Sequence, residues 1–175
     1  MTASTVDPQQ ALAPQKRDDF YRLTVAGLVS RTFQFSLEDL NFNFAEKAFK
    51  PIGVGRGHPE GESTWTGCLL NELIDFVAAS GQARHIEFVH WLLGQENSQP
   101  QRLTCSIPIT TLEQEEVGLV WGQNGEFLSS EQGGPLVALL PSSGGYQQLS
   151  GVSRINLVLL PSVTTWASAT QGVTV

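Results

Sequence analysis

Apolar residues in this chain come in short runs bounded by turn residues, and only one stretch places them at helical spacing. That stretch is "TGCLLNELIDFVAASG" (66–81). Its Leu69, Leu70, Leu73, Ile74 and Val77 make one stripe, and Gly81 offers a C-terminal stop. Most of the remaining apolar runs read as strands. "FYRLTVAGLV" alternates apolar and polar positions, with Gly27 permitting a bend. "RTFQFS" sets Phe33 and Phe35 on one face, and Ser36 caps a short turn of helix with Asp39 in the return position of a capping box. "RHIEFVHWLL" and "RLTCSIPI" are two more strands. "TTLEQEE" is a short helix capped by Thr110 with Glu113 three residues on. "VGLVWGQ" and the strand starting at Glu126 flank Asn124-Gly125, a type I′ hairpin pair that needs positive φ at both positions. "PLVALLP" and "SRINLVLLP" complete the sheets. The fold class is α+β, mostly β, with a few short helices.

Length supports one domain over 19–161. It lies between a disordered leader over 1–18, rich in Gln, Pro, Ala and Thr, and a polar tail over 162–175. Net charge is −7 and the basic residues are scattered, which excludes nucleic acid as the main partner because phosphate binding needs clustered Lys and Arg. No apolar run approaches the ~20 residues of a membrane span, and the first residues have no apolar core of a signal peptide. With only Cys68 and Cys105, there is no disulfide framework. The expected location is cytoplasmic.

The order of three stretches is similar to the molybdopterin-binding domain of the sulfite oxidase family. They are "LTVAGLVSRTFQFSLEDL", "WTGCLLNELI", and "NGEFLSSEQGGPLVALLP" followed by "GYQQLSGVSRINLVLL". The family's C-terminal hallmark reads approximately "NGxPLPxxHGxPLRLxxP", then "GxKxVKWLxxI". The resemblance covers roughly residues 20–160 and implies a sulfite-oxidase-type fold. It also implies a site in which a cysteine thiolate ligates molybdenum, while histidine, arginine and lysine hold the anionic cofactor.

Carried over by position, none of those groups is present. The cysteine falls near Gly53, in "KPIGVGRGHPEG", which has no thiol; the histidine becomes Gln132, the arginine Val137 and the lysine Ser150. Hydrogen bonds to charged groups contribute roughly 1.5–3 kcal/mol each, so losing two or three weakens binding by about 3–9 kcal/mol. On this reading the cleft is vestigial, outlined by Gly53, Arg56, His58, Asn124, Gln132, Val137 and Ser150, with no catalytic residue, no metal and no cofactor expected. Arg56 and His58 are the first places to look for any anion that still binds.

The other candidates are weaker. "GVGRGHPEG" lacks the third glycine of a dinucleotide loop, and Pro59 follows where a helix should begin. His85 and Glu87 share one face of a strand while His90 points to the other, so three convergent metal ligands are hard to assemble. They read as two surface polar residues and a satisfied buried imidazole. Trp65, Trp91 and Trp121 read as core, and Trp166 as a groove filler or a partner contact. Glu113, Glu115 and Glu116 read as a solvated face. The functional expectation is a non-catalytic relative of these oxidoreductases, an accessory or protein-interaction domain whose partner is unidentified, leaning away from an enzyme. Two alternatives stay open: a molybdopterin-dependent oxidoreductase with an atypical site, and a binder of another small ligand in the vacated cleft.

Overall fold

A computed structural model describes residues 20–50, 64–92, 101–142 and 145–162. The leader over 1–18, Gly53, Arg56, His58, and the tail beyond Ser162 with Trp166 lie outside the described residues. The elements run β1 (Leu23–Gly27), β2 (Phe33–Phe35), α1 (Leu37–Asn43), β3 (Lys47–Phe49), β4 (Trp65–Leu69), α2 (Leu70–Phe76), β5 (His85–Leu92), β6 (Gln101–Pro108), α3 (Thr111–Gln114), β7 (Gly118–Gln123), β8 (Glu126–Phe127), a 3-10 turn (Ser130–Gln132), β9 (Val137–Ser142), β10 (Gly145–Leu149) and β11 (Arg154–Val158).

Two sheets face each other. One has the order β2-β1-β11-β5-β6, with β1 and β11 parallel. The other has the order β10-β9-β7-β4-β3, with β8 hairpinned onto β7. The main core lies between them. Val25, Ile86, Phe88 and Ile155 of the first sheet meet Cys68, Leu119, Trp121 and Leu140 of the second, and Leu40 of α1 and Leu70 and Leu73 of α2 add to it. A smaller cluster covers the opposite face of the second sheet, built from Phe49, Trp65, Val120, Leu128, Val137 and Leu139. Strands β7 and β9 are therefore covered on both faces. That explains the unbroken apolar run "LVALL", where a half-exposed strand would alternate.

Local chemistry sets several boundaries as the residues require. Ser36 and Asp39 form the reciprocal capping box on α1, with Asp39 N to Ser36 Oγ at 3.0 Å and Ser36 N to Asp39 Oδ2 at 2.8 Å. Asn124 and Gly125 adopt φ of 51° and 84°, as the β7–β8 hairpin demands. β1 ends at Gly27, whose φ is +90°.

The structure corrects the sequence reading elsewhere. The helix expected over 66–81 is shorter. Trp65–Leu69 is strand β4, and α2 ends at Phe76 with Val77 as C-cap, well before Gly81. Gly67 is the reason for the strand: a Cβ there would lie 2.0 Å from the Leu119 carbonyl oxygen, so this residue lets β4 press against β7. Thr110 precedes α3 without a side-chain capping bond. β3 and β10 had no separate signal, being short or polar. Trp65 and Trp121 are core, but Trp91 is 39% exposed at the end of β5.

Candidate functional site

Gln132 closes the 3-10 turn through a second capping box. Ser129 N donates to Gln132 Oε1 (2.9 Å), and Gln132 N donates to Ser129 Oγ (3.3 Å). The other end of the same amide, Nε2, donates to Gln123 Oε1 at 2.7 Å. Gly133 follows with φ +90°, and a Cβ there would sit 2.4 Å from Ser150 Oγ and 2.8 Å from Gln148 Nε2. Only glycine lets β10 and the Ser150 turn approach this closely. Gln148 Nε2 donates to the Gln132 carbonyl at 2.9 Å, and Gly151 N donates to the Gly133 carbonyl at 2.7 Å. The Ser150 carbonyl in turn accepts from Trp91 N at 3.0 Å, which joins the end of β5 to the cluster.

Two of the carried-over residues, Gln132 and Ser150, thus meet in a neutral amide and hydroxyl cluster. The sequence reading missed Gln123 and Gln148. Their only signal is a glutamine at the base of the hairpin and another in the polar run "GYQQLS". Asn124 sits beside them in sequence. Its Oδ1 accepts from Thr64 N (3.0 Å) and its own N donates to the Thr64 carbonyl (2.8 Å), so the hairpin is tied to the start of β4. Val137 is elsewhere. Its side chain is fully buried in the smaller hydrophobic cluster, on the opposite face of β9 from Ala138 and Leu140.

A pocket of about 220 Å³ lies along β7 and is lined in part by Asn41, Glu46, Thr66, Trp121, Glu126 and Phe127. Among the described residues its charged lining is Glu46 and Glu126, and Gln132, Val137 and Ser150 do not line it. It is a poor match for an anion.

Burial disfavours the charged forms of three further groups. Burial pushes the Cys68 thiol up to about 12, with Glu72 adding to the effect, and pushes Cys105 up to about 11. Both are free thiols whose burial disfavours the thiolate. His90 is 8% exposed, and burial lowers its pKa from the ordinary value. Among the described residues its Nδ1 has no hydrogen-bond partner, whereas the sequence reading held a satisfied buried imidazole. Glu87 is buried too, not a surface residue. Among the described residues no group of three His, Cys, Asp or Glu converges as a metal site, and no helix is long and apolar enough to cross a membrane.

Comparison with known proteins follows the same outline. The family model described as "Oxidoreductase molybdopterin binding domain" matches residues 10–166. Sulfite oxidase from Arabidopsis thaliana is 26% identical over 106 residues, covering 56% of this chain and 27% of that protein. Nitrate reductase [NADH] from Ulva prolifera is 23% identical over an alignment of 192 positions, covering 87% of this chain and 22% of its own length. The crystal structure of the sulfane dehydrogenase SoxCD from Paracoccus pantotrophus superposes with a TM-score of 0.56 at 20% identity, over 85% of this chain and 40% of that one. The chain therefore spans about a quarter of the length of the two curated relatives.

These matches correct one expectation. An absent cofactor was inferred from the missing thiol and cations, but the family that takes in most of this chain is defined by molybdopterin binding. Absence of the cofactor does not stand as a reading. Side chains compared singly with an aligned pattern leave out backbone and neutral hydrogen bonds, which also hold ligands. Toward such a group, Gln132 and Ser150 supply neutral hydrogen bonding and no charge, and Val137 supplies nothing polar; at these positions charge pairing does not fit. From strand order, matched residues and the superposition, the chain belongs to the oxidoreductase molybdopterin-binding domain family and has the sulfite-oxidase-type fold.

Proposed function

We propose that this chain is a non-catalytic member of the family, an accessory domain that works by contact with a protein partner. One observation carries the reading: the positions that match the family's cationic contacts are neutral and already engaged within the fold. Gln132 uses both ends of its amide on Ser129 and Gln123, and Val137 is enclosed by apolar side chains. A reaction that builds negative charge would find no cation at these positions to stabilise it. The reading concerns turnover and is independent of cofactor occupancy. A cytoplasmic location goes with it, supported by the two free thiols.

A second reading, a catalytic member with an atypical site, is favoured by the extent of the family match and by the retained Asn124-Gly125 hairpin. One experiment separates the two. The protein is produced in a host that makes the molybdenum cofactor, its pterin and molybdenum contents are measured, and the same preparation is assayed for sulfite oxidation and nitrate reduction, the reactions named by its relatives. The accessory reading expects no turnover above background in preparations that carry cofactor. Cofactor-dependent turnover of either substrate would overturn it.

A further inference from the structure

The pocket along β7 brings aromatic residues and carboxylates to one cavity. A β-bulge builds one of its walls. Thr66 of β4 pairs with Gly122 of β7, yet Gly67 pairs with Val120, so Trp121 is skipped between them. A bulge re-aims the side chains around it, and here Thr66, Trp121 and Gly122 all line the cavity. Gly122 keeps that wall open. A Cβ there would sit 3.1 Å from the Glu126 carbonyl oxygen and 3.5 Å from Thr66 Cβ, between two residues of the lining. The hairpin then places Phe127 opposite Gly122 and Glu126 opposite Gln123. Phe127 is 60% exposed and belongs to neither hydrophobic cluster, so core packing does not account for a ring at this position.

The charge comes from two separate elements. Glu46 enters from the α1–β3 connection and Glu126 from β8. Neither has a cationic partner among the described residues, and Lys47, next to Glu46, is taken by Glu116 and the Phe49 ring. Asn41 of α1 and Thr66 add neutral oxygens that accept hydrogen bonds. Carboxylates, neutral acceptors and aromatic rings around one cavity suit a ligand that carries positive charge and N–H donors. A metal ion fits poorly. Hard cations such as calcium take about six to eight oxygen ligands, and among the described residues no three His, Cys, Asp or Glu converge. The volume of about 220 Å³ lies below the roughly 300–1,000 Å³ of pockets for drug-sized ligands, which limits the guest to one small group.

We infer that this pocket binds a primary ammonium group on a short alkyl chain. Glu46 and Glu126 pair with the charge, and Phe127 and Trp121 contact the ammonium and its chain. The site needs neither cofactor nor turnover, so it holds under either reading of the function. Two sources present this chemistry, a free alkylamine and the lysine side chain of a polypeptide.

The test is a titration of the isotope-labelled full chain with butylammonium chloride, followed in amide NMR spectra. Saturable shifts of the Trp121 indole N–H and of the Gly122 and Gly125 amides are expected. Glu46→Gln and Glu126→Gln should each weaken binding about threefold and together about tenfold, a modest effect because exposed ion pairs are screened. Phe127→Leu keeps an apolar wall without the ring and should weaken binding about threefold. Butanol, with the same chain and no charge, should bind about tenfold more weakly than butylammonium. Acetyl-Gly-Lys-Gly-amide separates the sources. Peptide binding at least as tight as that of butylammonium assigns the pocket to a lysine side chain, and weaker or absent peptide binding assigns it to a free amine. The inference is overturned if no saturable shift appears at the three reporters, or if butanol binds as tightly as butylammonium. It is overturned equally if the folded Glu46→Gln/Glu126→Gln protein keeps the wild-type affinity.

Discussion

Replacing Val137 by arginine, the residue the family pattern carries there, should cripple folding and not restore a site. Val137 is fully buried, and its neighbours in the smaller cluster are Phe49, Trp65, Val120, Leu128 and Leu139, all apolar. Forcing a longer side chain into that packing costs about 1–3 kcal/mol. A guanidinium with no anionic partner adds a desolvation penalty of several kcal/mol more. A domain of this size has about 5–15 kcal/mol in total, so the sum removes most or all of it. The control is Val137→Ala, which deletes two methyl groups and leaves a small cavity at a cost of about 2 kcal/mol. Urea unfolding followed by circular dichroism reads both. With m about 1–3 kcal/mol/M, the alanine variant should lose about 1 M in midpoint, while the arginine variant should lack a native baseline. An arginine variant with the wild-type midpoint would refute the placement of Val137 in a closed cluster, and with it the claim that β9 is covered on both faces.

Gln132→Ala removes the return half of a capping box and the bond to Gln123, and should lower stability by about 1–2 kcal/mol, read as a urea midpoint shift. Gln132→Glu should retain the Ser129 contact while losing the donor to Gln123, so a milder effect than alanine is the expected order. His90 gives a pH signature. Its pKa is lowered in the fold, so between the ordinary 6.5 and that lowered value the unfolded chain binds the extra proton. Stability should therefore fall as pH drops through 6.5 and level off below the lowered pKa; His90→Phe should flatten that slope in melts taken from pH 7.5 to 4.5. A chain starting at Asp18 should melt within a few degrees of the full chain, because the leader's composition offers little apolar surface against ordering at ~1–2 kcal/mol per residue. A large drop in Tm would show that the leader packs on the domain.

What the sequence alone determined is what neighbours in sequence decide. The Ser36–Asp39 capping box, the Asn124-Gly125 hairpin, most of the strands and the α+β class follow from side chains a few residues apart, and from φ values that few residues adopt. The family outline was legible for the same reason, since its motifs are local and fall in order. Contacts between distant segments were not legible. Helical spacing over 66–81 is real, but Gly67 is claimed by β7, fifty residues on, and so the first turn of the expected helix becomes strand. Gln132 and Ser150 come together only because Gly133 allows it, and the amides that complete their cluster, Gln123 and Gln148, carry no motif. Val137 could be aligned to a ligand-binding position, but the covering of both faces of β9 decides that it is core. Glu87 passed for a surface residue on strand alternation, until Ser162 crossed the sheet to meet it. Alternation says which side of a strand a residue faces; only the packed chain says whether that side is wet.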